Sequence, residues 1–307
     1  MRRQAPSFPR VGRRLHRVAD ASAGACGRSS RRLQVLSLLL AGALGCGPLH
    51  ATDWHVALAA QQGWTGGWIR VRENDVPTTR LRLNDDLRAG HMQSLRVLAW
   101  TPLGEAGELH LGLTTHRLDG SARFAAPVYF NGTKVAPGRL DTVTHFQDFI
   151  ELDASYWRRL ADVGSGGSLW GSLGARYVML NFKLDGTIAA DSPGHELKED
   201  FYVQELPVPM LGLHLRYPLS DALQLTADAS WGRLPWVNSL RTEGGEVRLA
   251  QTDSEEQVAL AYRANPHWRF AAYIFHTEFA QDERSREDGN AVYLHDSGAG
   301  ISAEYAF

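Results

Sequence analysis

The sequence predicts an all-β protein, a transmembrane antiparallel up-and-down β-barrel, and three observations predict it. Apolar and polar side chains alternate over stretches of about ten residues, the length that a tilted strand needs to cross a membrane. The connections between these stretches are alternately short and long. Of the 307 residues 44% are hydrophobic, yet the mean hydropathy is −0.28, as expected when each strand offers only half of its side chains to lipid.

Composition excludes several other classes of protein. The formal net charge of −2 lacks the basic excess of a nucleic-acid binder, so no nucleic-acid partner is expected. The apolar content is too high for an intrinsically disordered chain. A polytopic helical membrane protein is excluded too, because the one charge-free apolar stretch lies near the start, between Leu33 and Leu49.

Residues 1–51 predict a secretory signal that is removed. Nine arginines precede the apolar run Leu33–Leu44, against the single acid Asp20, and small residues follow. Cleavage is expected after Ala51, with Gly45 as the alternative. The mature chain is then residues 52–307, a single barrel domain.

The same segment leaves two other export routes open. Ser30-Arg31-Arg32 resembles part of a twin-arginine signal, and Cys46 resembles a lipoprotein acylation site in which the usual large and small residues are swapped. Both cysteines, Cys26 and Cys46, fall in or beside the removed segment. Disulfides therefore cannot be what holds the exported domain together, and backbone pairing in a closed sheet can.

Ten strands are expected along the mature chain, with eight or twelve as alternatives. They lie near 54–72, 93–101, 107–117, 145–157, 168–184, 200–217, 222–233, 246–264, 267–281 and 293–307. The short connections are 102–106, 158–167, 218–221 and 265–266, and the long polar ones are 73–92, 118–144, 185–199, 234–245 and 282–292. Short turns at one end and long loops at the other are typical of a bacterial outer-membrane barrel, with both chain ends on the periplasmic side.

Each strand has one apolar face. In the last strand the positions Ala299, Ile301, Ala303, Tyr305 and Phe307 alternate with small or polar residues. The same period of two gives the other apolar faces: 109, 111 and 113; 150, 152, 154 and 156; 211, 213, 215 and 217; 223, 225, 227, 229 and 231; 258, 260 and 262; 268, 270, 272 and 274.

Aromatic residues near the strand ends predict two girdles at the membrane interfaces. The girdle at the short turns would contain Trp100, Tyr156, Trp157, Trp170, Tyr217, Tyr262, Trp268, Tyr305 and Phe307. The girdle at the long loops would contain Trp64, Trp68, Phe201, Tyr202, Trp231, Trp236, Phe279 and Tyr293.

Three motifs resemble a widespread family of uncharacterised Gram-negative outer-membrane β-barrel proteins. They are Thr79–Leu87 (TRLRLNDDL), Phe130–Gly138 (FNGTKVAPG) followed by Leu140-Asp141, and the closing segment from Asp296 to Phe307. The resemblance covers most of the mature chain and implies a barrel fold and an outer-membrane location, without catalytic residues. The terminal Phe307, with Tyr305 two residues before it, also resembles the signal read by the barrel-assembly machinery, which is therefore an expected partner during biogenesis.

The inward faces of the strands are expected to carry a polar network. Its members are Glu108, His110, Glu151, Asp153, Arg176, His214, Arg216, Asp228, Arg263, Arg269 and Glu304. In a barrel of about ten strands such residues fill the interior by pairing with one another. A charged, water-lined path for small solutes is the alternative.

His295-Asp296-Ser297 is the one local motif with a chemical interpretation. Its H-x-S spacing resembles that of outer-membrane lipid hydrolases such as lipid A deacylase and phospholipase A, in which His is the base for a Ser nucleophile. Here Gly298 follows in place of Asn, and no later strand remains to supply an orienting acid or amide. His295 is therefore expected to be an interfacial residue beside Tyr293.

The sequence thus predicts a structural or surface-binding barrel with a filled interior, without enzymatic activity, cofactor or metal. Outer-membrane lipids and lipopolysaccharide are the expected partners, and the arginines of the mixed-charge loop 282–288 are candidates to bridge lipopolysaccharide phosphates. A narrow diffusion pore is the first alternative, and a lipid hydrolase using His295 and Ser297 is the second.

Overall fold

The computed structural model describes residues 54–73, 76–201, 206–239, 247–286 and 289–307. The expected signal segment and both cysteines lie outside these residues. Within them, no helix has the length and apolar character needed to span a membrane.

The described residues form strands joined in one antiparallel sheet. The strands are β1 (His55–Arg70), β2 (Leu81–Arg82), β3 (His91–Pro102), β4 (Gly107–Phe124), β5 (Val128–Phe130), β6 (Thr133–Thr144), β7 (Phe149–Val163), β8 (Gly167–Ile188), β9 (Lys198–Asp200), β10 (Val208–Pro218), β11 (Leu223–Asn238), β12 (Arg248–Arg263), β13 (Trp268–Arg284) and β14 (Ala291–Ala306).

Ten of these strands close into a ring. The order is β1, β3, β4, β7, β8, β10, β11, β12, β13 and β14, and the ring closes where β14 pairs with β1 from His55↔Ala306 to Arg70↔Ala291. Closure leaves these strands without a free edge, so their backbone donors and acceptors are paired within the sheet. The predicted ten-stranded barrel is confirmed.

The four remaining strands, β2, β5, β6 and β9, lie mostly in segments that we expected to be long loops. The hairpin β5–β6 pairs with the extensions of β4 and β8, and β2 pairs with β1 beyond the point where β1 leaves β3. The sequence missed β2, β5 and β9 because they have only two or three residues each, and β6 because Pro137 and Gly138 interrupt its alternation. They extend the wall of the barrel beyond the membrane at the long-loop end.

The outer surface of the ring is apolar over its middle. The exposed aliphatic and aromatic residues there are Leu58, Leu95, Val97, Leu173, Leu211, Leu213, Val258, Leu260, Phe270, Ile274 and Ile301. Such a continuous apolar belt is unfavourable in water and favourable against lipid tails.

The interior at the long-loop end is an apolar core, which differs from the expected polar filling. Its largest buried members are Ile69, Leu83, Leu118, Phe130, Phe149, Leu180, Phe182, Phe201, Phe279 and Leu294. The segment 81–90 supplies Leu81, Leu83, Leu87 and Ala89 to this core. It is tied to β1 by hydrogen bonds from Leu83 N to Gly67 O and from Thr65 N to Gly90 O, each 3.0 Å long. Inward positions at this end therefore face folded loop and can be apolar.

Several aromatic residues assigned to the girdles lie elsewhere. Phe201 and Phe279 are buried in the apolar core, and Trp100, Trp157 and Trp170 stack inside the barrel. Nearness to a turn predicts a girdle position for them, whereas the parity of each position within its strand decides its face. Tyr202 lies outside the described residues.

The girdle positions that do face outward include Tyr156, Tyr262 and Trp268 near the short turns and Trp64 and Trp231 near the long loops. They border the apolar belt on both sides, where rings with a polar atom favour the headgroup level.

Candidate functional site

A stack of five rings crosses the lumen near the short turns, and each ring comes from a different strand. The rings are His55, Trp100, His110, Trp157 and His214, and successive centroids lie 3.6, 5.8, 3.9 and 3.4 Å apart. Each of these residues occupies an inward-facing position of its strand near the short turns, so all five side chains lie in the lumen. The stack narrows the barrel at its short-turn end.

Arg216 lies against this stack and is held by Glu108. Its two terminal nitrogens donate 2.7 Å hydrogen bonds to the two different carboxylate oxygens of Glu108. This bidentate pairing also fixes the plane of the guanidinium. His110 Nε2 lies 2.7 Å from the same carboxylate, and the guanidinium carbon is 4.9 Å from the centre of the Trp170 ring. Both charges are therefore paired in the interior.

Farther from the short turns, two arginines share one carboxylate. Arg176 Nη2 and Arg96 Nη2 donate to the same Glu255 oxygen at 2.6 and 3.1 Å, and Arg96 Nη1 also contacts Glu255. Arg176 Nε donates to Asp153 at 2.6 Å. This cluster neutralises two cations with two carboxylates at the level of the membrane.

Arg96 and Glu255 are not among the lumen residues predicted from the sequence. Glu255 is followed by Glu256, so alternation of polarity does not show which of the two faces inward. Arg96 lies within the predicted strand 93–101, between the apolar residues Leu95 and Val97. Val97 and Val258 face outward, and the alternation counted from them places Arg96 and Glu255 on the inward face.

The other expected lumen residues are also paired inside the barrel. Glu151 lies 3.3 Å from His116 Nε2, and His116 Nδ1 lies 2.7 Å from Ser94 Oγ. His214 lies 2.9 Å from both Asp228 and Ser172. Near the short turns, Glu304 contacts His55 at 3.1 Å and Arg269 at 3.4 Å.

Arg263 is the exception among the expected lumen residues. It is exposed at the short-turn rim, where its Nη2 donates a 2.8 Å hydrogen bond to the Asp221 carbonyl. Because it ends β12, its inward parity directs it to solvent at the barrel mouth.

Part of the space that remains within the charged part of the lumen is a cavity of about 240 Å³. It is lined by Trp100, Trp157, Arg96, Glu255 and Tyr273, among others. With about 30 Å³ per water molecule, it has room for a small group of waters. The apolar core lies beyond it toward the long loops.

A larger cavity of about 940 Å³ opens on the outer side of the long-loop end. Its wall combines Trp64, Trp68 and His295 on the outward face of the barrel with Arg80 and Arg88 from the segment before β3. Arg80 lies over Trp68, with its guanidinium carbon 3.8 Å from the ring centre. The cavity is therefore aromatic on the barrel side and cationic on the loop side.

A third arginine of this cavity, Arg82, is already neutralised. It pairs with Asp85 at 2.9 Å and with Asp86 at 3.0 Å. The hydrogen bonds from Arg82 hold the pKa of Asp86 below its usual range. Both aspartates face this one arginine, which leaves Arg80 and Arg88 to carry the positive charge of the wall.

A polar patch lies on the outward face of β13 and β14 close to that cavity. Ser297 Oγ is 2.7 Å from His276 Nδ1, and His276 Nε2 is 3.5 Å from Glu278 Oε1. The Tyr293 hydroxyl donates to Glu278 at 3.1 Å. His295, which the sequence paired with Ser297, instead lies over Gly66, where an added Cβ would be 2.3 Å from its Nε2.

The expected assembly signal is at the outer base of the barrel. Tyr305 meets the edges of Trp268 and Phe307, with centroids 5.0 and 5.1 Å apart, and Phe307 is 60% exposed. The Phe307 amide donates to the Trp54 carbonyl at 3.0 Å, so the last residue joins the first described one. Its role in assembly stays a prediction.

Solved structures with a similar fold include outer-membrane proteins of different roles. The outer membrane protease OmpT from Escherichia coli has 12% identity and a TM-score of 0.49, with 84% of this chain and 98% of that chain covered. The translocator domain of the autotransporter NalP from Neisseria meningitidis has 17% identity and a TM-score of 0.39, with 91% and 97% covered. The toluene transporter TodX from Pseudomonas putida has 10% identity and a TM-score of 0.30, with 83% and 90% covered.

No protein-family model matches the chain, and no curated protein matches it. The closed ring and the apolar belt between aromatic borders make the chain an integral β-barrel of the bacterial outer membrane. The fold and location implied by the family resemblance are confirmed.

Proposed function

We propose that this barrel is a surface-binding protein of the outer membrane that holds phosphorylated headgroups of outer-leaflet lipids, above all lipopolysaccharide. The observation that carries the proposal is the 940 Å³ cavity at the long-loop border of the apolar belt. Arg80 and Arg88 line it on one side, and Trp64 and Trp68 line it on the other.

The chemistry of this cavity suits a lipid phosphate. A planar guanidinium pairs with two phosphate oxygens at once, and arginine is the preferred residue for that contact. Indole rings favour the headgroup level. A second pairing of the same kind supports the proposal, since Arg284 lies 4.6 Å from the centre of the Trp236 ring.

The filling of the lumen favours binding over transport. The Arg216–Glu108 pair, the Arg96–Arg176–Glu255 cluster and the apolar core follow one another along the barrel axis. A small solute would have to separate paired charges in a medium of low dielectric constant and then cross packed aliphatic side chains. A narrow diffusion pore is therefore the second candidate.

Binding is tested with the barrel in lipid nanodiscs and purified lipopolysaccharide. Replacing Arg80 and Arg88 together by Gln should raise the dissociation constant about tenfold or more, since each tenfold corresponds to about 1.4 kcal/mol. Arg123→Gln is the matched control, because Arg123 is an exposed arginine on β4 outside this cavity. Equal affinity of the double variant and the control would refute the proposal.

Conductance in planar bilayers tests the pore. The folded barrel should give no stable single-channel steps, because the charged clusters and the apolar core block the axis. Reproducible ohmic steps from the wild-type protein would favour the diffusion pore.

A further inference from the structure

We propose that Ser297, His276 and Glu278 form a hydrolytic relay on the outer face of the barrel, which cleaves acyl esters of outer-leaflet lipids. Ser297 is the nucleophile, His276 is the general base, and Glu278 is a positioning residue for the imidazole. The activity goes beyond the binding proposed above. The choice of a phosphorylated lipid as substrate rests on that binding, whereas the relay itself does not.

The three side chains lie at the height where ester groups of the outer leaflet are expected. Ser297 is eight residues from Tyr305 along β14. At about 3.3 Å per residue and a tilt of about 40°, this is a rise of about 20 Å, close to the top of an apolar band of about 25 Å. Ile274, two residues before His276 on the same outward face, is still 64% exposed in the belt.

The register of the sheet brings the relay together. Ser297 is directly opposite His276 in the β13–β14 pair, so both side chains lie on one face of neighbouring strands. The 2.7 Å contact of Ser297 Oγ with His276 Nδ1 leaves Nε2 to face Glu278, 3.5 Å away. With Nε2 protonated, Nδ1 is free to accept the serine proton, which is the geometry that an activated serine requires.

The orienting acid, which no strand after the H-x-S motif supplies, is therefore upstream of the serine. The H-x-S motif directed attention to His295 and to a later strand, but β13 precedes β14 and supplies both the imidazole and the carboxylate. The sequence holds no local signal for this, because the partners are 21 residues apart and meet only through pairing.

Ionisable groups on a lipid-facing surface are expensive, and those that occur there commonly serve a function. His276 has Glu278 on its own strand and Glu256 opposite it on β12. Tyr293 and His295 on β14 also face this patch. A barrel surface that only contacted lipid would be more stable in the membrane with aliphatic residues at these positions.

The reaction balances with water as the only co-reactant. Ser297 Oγ attacks the ester carbonyl carbon while its proton passes to His276 Nδ1. The carbon–oxygen ester bond then breaks, and His276 returns the proton to the departing alcohol. Water, deprotonated by His276, cleaves the acyl-serine, which releases a fatty acid and restores the serine.

The cavity of about 940 Å³ lies beside this relay. Trp64 is opposite Ser297 on the other side of β14 and lines the cavity with Arg80 and Arg88. A lipid whose phosphate occupied the cavity would place its first ester groups next to Trp64, within reach of the serine.

The test combines turnover with labelling of the serine. Wild-type protein is reconstituted in vesicles with either phosphatidylethanolamine or lipopolysaccharide, and released fatty acid is measured by mass spectrometry. A fluorophosphonate probe should label Ser297, as identified on the digested peptide. Release from either lipid together with this labelling supports the relay, and the lipid that is cleaved identifies the source of the ester.

The variants assign the roles. Ser297→Ala and His276→Asn should each lower release by about 100-fold or more. Glu278→Gln should lower kcat about tenfold with KM unchanged, because Glu278 orients the base and does not contact the reacting ester group. Ser121→Ala is the matched control, since Ser121 is an exposed serine on β4, a strand that pairs with neither β13 nor β14. Folding of every variant is checked by its electrophoretic mobility without boiling.

Three results would overturn the relay. They are absence of both fatty-acid release and Ser297 labelling in the folded wild type, undiminished release in Ser297→Ala, and loss of activity in His295→Asn but not in His276→Asn. The Arg80/Arg88 double variant separates the two proposals. If its lipopolysaccharide affinity is unchanged while Ser297→Ala abolishes release, the binding proposal fails and the relay stands.

Discussion

Glu255 is the residue on which the charge balance of the lumen most depends. It accepts hydrogen bonds from Arg96 and Arg176, which come from two other strands of the ring. Removing charges from water is costly, and the cost is offset only while each charge keeps its partner. Replacing any one of these three residues alone should therefore lower the free energy of unfolding by more than the loss of an average hydrogen bond would.

Replacing Glu255 by Gln should lower the free energy of unfolding by about 3–5 kcal/mol, because two buried guanidinium groups would lose their shared carboxylate. Urea titration of the barrel in lipid vesicles measures this. Glu105→Gln, in the exposed turn between β3 and β4, provides the comparison and should leave the midpoint unchanged. Equal midpoints for the two variants would show that the cluster contributes little to stability.

At the scale of elements, β1 must pair with two different partners on one side. It pairs with β3 as far as Trp64 and His91, and then with β2 at Trp68 and Ile69. The change of partner occurs at Gly67, whose φ of 114° favours glycine. A Cβ there would lie 2.0 Å from the Tyr293 carbonyl oxygen on β14.

Gly67→Ala should therefore destabilise the long-loop end by about 1–3 kcal/mol, through backbone strain and a clash that backbone atoms cannot avoid. The same urea titration measures it, with proteolysis of segment 81–90 as a local readout. Gly104→Ala separates the two causes, because Gly104 also has positive φ, 71°, but an added Cβ meets no atom within 4 Å. Equal losses in both variants would assign the effect to strain alone.

The aromatic residue Phe307 directly follows the closing strand β14. Deleting Phe307, or replacing it by Ala, should lower the amount of protein in the outer-membrane fraction, because the terminal aromatic pair resembles the assembly signal. Blots of fractionated cells measure the amount. Ile301→Ala, which removes an equally exposed apolar side chain from the same face, serves as the control. Wild-type abundance without Phe307 would contradict the prediction.

At the scale of the whole molecule, stability depends on closure. Every strand of the ring has two neighbours, so releasing any one strand requires breaking its backbone pairing on both sides. In detergent without boiling, the barrel should stay folded and migrate differently from the boiled chain. A single band position before and after boiling would contradict a closed barrel.

Much of the polar network in the lumen followed from parity within strands, whereas the outer cavity with Arg80 and Arg88 was not predicted. The inward positions of Glu108, His110, Asp153 and Arg176 were predicted, because a period of two assigns a face once the strand is known. The partners of these residues were not predicted. Glu255 meets Arg176 only because β12 and β8 curve around the same lumen.

The sequence by itself determined the class of fold, the ten strands of the ring, their faces and the end at which the long loops lie. These properties are local, since hydrophobic alternation and turn residues act over a few positions. Tertiary structure decided which segment fills the long-loop end of the lumen, which charges pair, and that His276 and Glu278 stand beside Ser297. Such contacts depend on the register between strands and on ring closure, and no short stretch of sequence encodes either one.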